Sequence, residues 1–110
     1  MNNPDYRRLY SELLAYLDSN GQSLIQHGSA ERGLSFVDAR AFLDLLFTNK
    51  VPLLGIEIWR GEAGRYSLDG TETWYSVGND LAANHADAVQ YMSRLERSNN
   101  DVFTVQFGTA

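Results

Sequence analysis

At 110 residues the chain is expected to form one domain, residues 1–110, large enough to bury a core without metal or disulfide help. It has no cysteine, which excludes a disulfide framework, a thiolate metal site and a cysteine nucleophile. The formal charge of −5 is unevenly placed, since between Gly61 and Asp87 only Arg65 offsets Glu62, Asp69, Glu72, Asp80 and Asp87.

That balance argues against nucleic acid as a partner, which requires clustered Lys and Arg. It serves either solubility or the steering of a basic protein. The amino terminus, MNNPDYRRLY, lacks a signal-peptide pattern, and no apolar run reaches membrane-spanning length. The expected setting is therefore the cytoplasm, with no membrane partner.

Asn3-Pro4 reads as an N-cap followed by proline at the first helical position. Tyr6, Leu9, Leu13, Tyr16 and Leu17 then recur at helical spacing up to a stop at Asn20-Gly21, with Arg7, Arg8, Glu12 and Asp18 toward water. From Gln22 to Leu34 the signal weakens to a short helical turn anchored by Leu24 and Ile25, plus loop. Ser35 and Asp38 form a capping box for a second helix, whose stripe runs through Phe36, Ala39, Phe42, Leu43, Leu46 and Phe47 to Asn49-Lys50.

Val51 to Arg60 (VPLLGIEIWR) is the stretch around which the rest is organised. Pro52 breaks the preceding helix, and the apolar run after it favours a strand. Regular alternation would put Leu54, Ile56 and Ile58 on the core face with Leu53, Gly55, Glu57 and Trp59 opposite. A carboxylate beside a large aromatic and a glycine reads either as solvated sheet or as a recognition surface.

Gly61 to Gly64 is turn material, Arg65 to Leu68 a returning strand, and Asp69-Gly70 another turn. Glu72 to Val77 is the third strand. A helix is predicted to begin near Asn84 and to run through His85, Ala88, Val89, Met92 and Leu95 to about Arg97. Ser98 to Asp101 turns into a last strand, Val102 to Phe107, with Thr104 and Gln106 facing outward. This order predicts an α+β fold: an antiparallel sheet of about four strands with helices packed on one face.

The chemistry-bearing motifs are few. The two histidines lie 58 positions apart, and the acids show no EF-hand spacing, so neither a metal nor a cofactor is expected. Gly61, Gly64 and Gly70 are turn glycines and not a phosphate loop. No serine sits in a nucleophile elbow. Glu57 with His85 or His27 is the one acid–base pair that would suit a small hydrolase, and no catalytic residue is assigned. Trp59, Tyr66, Trp74 and Tyr75 fall within 17 residues, interleaved with acids, as at interface hot spots. Trp74 remains open between core and surface.

The helix GLSFVDARAFLDLL, the strand VPLLGIEIWR, the strand ETWYSV and the segment NHADAVQYM before a final strand resemble the immunity protein 40 family of bacterial polymorphic toxin systems. The resemblance covers roughly residues 34–107 and is strongest at Leu54-Gly55-Ile56-Glu57 and at Trp74. Ser76-Val77-Gly78 departs from the further polar residues that often follow the tryptophan strand in that family. The resemblance implies an antidote that is not an enzyme: it binds and neutralises a cognate toxin domain, often a basic nuclease, in contact-dependent growth inhibition or a related system. The rival reading is a non-catalytic adaptor. The residues assigned to partner binding are Glu57, Trp59, Glu62, Asp69, Glu72, Trp74 and Asp80.

Overall fold

A computed structural model describes residues 4–108. The cap expected at Asn3 lies outside the described residues. The elements are α1 (Pro4–Asn20), β1 (Gln22–Ser23), β2 (Arg32–Gly33), α2 (Phe36–Thr48), β3 (Leu53–Glu62), β4 (Arg65–Leu68), β5 (Trp74–Tyr75), α3 (Leu81–Arg94) and β6 (Val102–Phe107). Single 3₁₀ turns occupy Ile25–His27 and Gly70–Glu72. The fold is α+β, with helices against a four-stranded antiparallel sheet and a two-stranded ribbon of β1 and β2 beside it.

Every strand of the main sheet borders β3. β6 pairs along one edge, from Leu53↔Phe107 to Trp59↔Val102, while β4 and β5 share the other. The β3–β4 hairpin turns at Ala63 and Gly64, both at positive φ, as a two-residue turn matched to strand twist requires. Ile56, Ile58, Phe103 and Val105 face α2 and α3 in one core with Phe42, Leu43, Leu46 and Met92. α1 joins it through Leu13, and Tyr16 stacks on Phe42 with its hydroxyl donating to the Asp38 carbonyl at 2.8 Å.

α2 begins as its sequence indicates, with the Ser35 hydroxyl accepting from the Asp38 N–H at 3.2 Å. It ends before Pro52 can act. Lys50 takes a left-handed φ of 58°, its N–H donates to Phe47, and the Val51 N–H reaches back to the Leu46 carbonyl at 2.9 Å. That is a Schellman stop with lysine in the place glycine usually fills.

Four expectations are corrected, the first being the strand read at Glu72 to Val77, which is only Trp74–Tyr75 with Glu72 in the preceding 3₁₀ turn. Leu53↔Phe107 is followed by Gly55↔Gln106, so Leu54 is the extra residue of a β-bulge. The bulge turns Leu53 into the core, 6% exposed, and leaves Leu54 46% exposed, the reverse of regular alternation. α3 starts at Leu81 with Asp80 as its cap; Asn84 instead lies buried, accepting from the Val77 N–H and donating to the Gly78 carbonyl. The helical turn expected near Leu24 and Ile25 is present at Ile25–His27, but the segment read as loop around it pairs as the β1–β2 ribbon, and residues 22–33 fold over the outer face of the sheet. There Leu24 is fully buried against Trp59 and Val102, whereas Ile25 is exposed.

Candidate protein-binding site

The outer face of β3 carries Gly55, Glu57 and Trp59, flanked by Thr104 and Gln106 of β6. Trp59 was expected on an open surface and is instead 6% exposed. Its Nε1–H donates to the Thr104 hydroxyl at 3.2 Å, and that hydroxyl donates to Glu57 Oε1 at 3.2 Å. Thr104 is fully buried, so a relay of fixed direction holds the Glu57 carboxylate from beneath.

Gln106 completes the arrangement. Its Nε2 amide lies 3.2 Å from Glu57 Oε1 and 3.0 and 3.2 Å from the two oxygens of Glu31. Two carboxylates thus share one neutral donor, and among the described residues no Arg, Lys or His forms an ion pair with either. Like charges this close favour any cation that reaches them. Glu31 was missed at the sequence level, because nothing in residues 22–34 indicates that this segment crosses the sheet.

Gly55 sets the spacing of the face. A Cβ there would stand 2.9 Å from Gln106 Oε1 and 3.5 Å from the Tyr75 ring. Its absence lets the amide and the aromatic approach across β3. Tyr75, opposite Gly55 and 69% exposed, stands beside this polar centre, and Val77, 82% exposed, and the bulged Leu54 are also open to solvent. Tyr75 therefore supplies the aromatic contact that Trp59 does not.

The remaining assigned residues are not gathered at one place. Trp74 is core, 7% exposed, with its Nε1–H donating to Asp87 at 2.8 Å. Asp80 caps α3 by accepting from the Ala83 N–H. Asp69 caps the 3₁₀ turn through Thr71 and pairs with Arg60 at 3.0 Å. Glu62 ends β3 exposed, and Glu72 is exposed in the turn whose carbonyl accepts from the Tyr91 hydroxyl. Burial, and then the Glu72 charge, push that phenol up to about 12.

Arg60 also donates to the Glu96 carbonyl at 2.7 Å and to Asp101 at 3.1 Å, while Asp101 accepts from the Gly61 and Ser98 N–H groups. Burial works to raise the Asp101 carboxyl, but the two N–H groups and Arg60 outweigh it and hold it low. Asp69 is held low by the Thr71 hydroxyl first and Arg60 next. This network ties the 96–101 loop to β3.

The two histidines are engaged away from Glu57. His85 Nε2 lies 2.8 Å from Asp44 Oδ1 in the helical layer, with its ring stacked on Phe47. His27 Nδ1 accepts from the Tyr66 N–H at 3.4 Å. Among the described residues no group of three or more His, Cys, Asp or Glu is placed to hold a metal, and no helix is long and apolar enough to cross a membrane. No protein-family model, curated protein or solved structure matches the chain.

Proposed function

We propose that this chain is an antidote protein, binding a cognate toxin domain in the cytoplasm of the producing bacterium and neutralising it without chemistry of its own. One observation carries the reading. The Glu57 carboxylate is fixed on the central strand by Thr104 and Gln106, with no basic partner among the described residues, on the face where Tyr75 is exposed. A preorganised charge next to exposed apolar groups can pair with a partner's Arg or Lys at low entropic cost. A basic nuclease, whose substrate is a polyanion, is the toxin class that a chain of charge −5 suits best. The resemblance of residues 34–107 to polymorphic-toxin immunity proteins supports the same reading.

The test is coexpression with the toxin domain encoded beside this chain, read by affinity capture and by growth. Stoichiometric capture with restored growth is expected, and both should be lost when Glu57→Arg is combined with Tyr75→Ala. Capture of housekeeping proteins without any protection from the toxin would favour the adaptor reading instead.

A further inference from the structure

Alternate residues of an antiparallel strand turn their N–H and C=O groups to opposite sides. In β6, Phe103 turns both outward, where they bond Leu34 in both directions at 2.7 Å. Val105, two residues on, turns its pair the same way, and among the described residues no strand receives them. Residues 30–32 stand off as the far wall of a groove of about 610 Å³. Its near wall is α1, from which Tyr10 and Leu14 remain partly exposed, and Val105 and Phe107 form its floor. The Arg32–Asp18 ion pair, 3.5 Å, joins the two walls.

Parts of other edges are covered: the Tyr66 N–H of β4 is taken by His27, and Leu34 occupies the start of β6. An uncovered strand edge is a template for another chain, and this one opens into a groove. We infer that the Val105–Phe107 edge of β6 is a strand-docking site for an extended, cationic segment of a partner protein.

Backbone groups supply the pairing, and the charge fixes the partner's sign. Glu31 and Gln106 both line the groove, and Gln106 links Glu31 to Glu57; Arg32 of the same groove is engaged by Asp18, so an incoming Arg or Lys meets two carboxylates that form no ion pair among the described residues. A second copy of this chain would bring two such acidic pairs together, which like-charge repulsion opposes.

The inference rests on the protein-binding reading above but is tested without the toxin. Three end-capped eight-residue peptides serve as probes: one alternating valine with arginine, one alternating valine with glutamate, and the arginine peptide with N-methylated valines. Amide NMR of the full chain should show the arginine peptide shifting Val105 and Phe107 and slowing Val105 exchange at least tenfold. The glutamate peptide should bind at least tenfold more weakly, the N-methylated peptide should not bind, and Glu31→Gln should remove most of the arginine preference. Equal binding of both charged peptides would overturn the inference, as would shifts centred on Tyr75 with Val105 unmoved. Concentration-dependent shifts at β6 without peptide would also overturn it, by placing a second copy in the groove. Toxin capture with unchanged Val105 exchange in the complex would refute the edge and leave the antidote standing; peptide docking without toxin capture would do the opposite.

Discussion

Trp59 and Thr104 are joined across the outer face of the sheet, indole N–H to hydroxyl at 3.2 Å, and the hydroxyl passes its own hydrogen to Glu57. The tryptophan thus supports the carboxylate and is not itself a contact surface. Trp59→Phe keeps most of the apolar volume but removes one of two donors to the buried Thr104 oxygen, the other being Gln106 Nε2 at 3.3 Å. It should cost about 0.5–1.5 kcal/mol, read from the urea midpoint at constant m. Trp59→Ala should cost about 3–5 kcal/mol, because it also empties the cluster with Leu24 and Val102.

Leu53 and Leu54 should respond in opposite ways. Leu53→Ala and Ile56→Ala each remove core packing and should cost about 2–5 kcal/mol. Leu54→Ala removes an exposed bulge residue and should stay within about 0.5 kcal/mol. Equal effects at Leu53 and Leu54 in guanidinium titrations would mean that the bulge is absent in solution.

Acid should unfold the protein through Asp69 and Asp101. Both carboxyls are held low in the folded chain, whereas in the unfolded chain they return to about 3.9. Their contribution is therefore complete above the unfolded value and is lost as pH falls through the lower folded values. The urea midpoint should be flat from about pH 7 to 5 and drop below about pH 4. Asp101→Asn should start less stable and show a shallower drop.

Lys50 sits in the left-handed region, which costs an L-residue about 1–2 kcal/mol. Lys50→Gly relieves that cost while loosening the unfolded chain, for a net gain of about 0.5–1 kcal/mol. A rise of a few degrees in the thermal midpoint would register it.

Glu57→Gln keeps the shape of the outer face and removes its charge. With the toxin domain captured, dissociation should quicken at least tenfold while the far-ultraviolet circular dichroism of the free protein is unchanged. Asp69→Asn and Asp80→Asn should act chiefly on stability, since both acids cap local structure.

Local chemistry was the legible part of the chain. The Ser35 cap, the strands at Arg65–Leu68 and Val102–Phe107, and the burial of Ile56 and Ile58 all follow from patterns a few residues long. Decisions made by distant partners were not legible. The bulge at Leu54 is set by pairing with Gln106 and Phe107, some fifty residues away in sequence. The burial of Trp59 depends on Leu24 arriving from the ribbon segment. Asn84 looks like a cap because its amide is polar, yet the carbonyl and N–H it serves belong to the loop after β5. Glu31 joins the site by the same route, carried there by a segment whose own sequence pattern is weak.

The placement of β3 has a consequence for how such a protein can change. β4, β5 and β6 each pair with β3 and none pairs with another of the three. A lengthened β4 hairpin, a shifted Tyr75 or a remodelled β6 edge would therefore leave the register of the other strands in place. Gly55, Ile56 and Trp59 of β3 tolerate far less, because they answer to neighbours on both edges at once. In a lineage pressed to match altered partners, diversity should accumulate on the peripheral strands and on the covering ribbon, while the central segment stays nearly fixed.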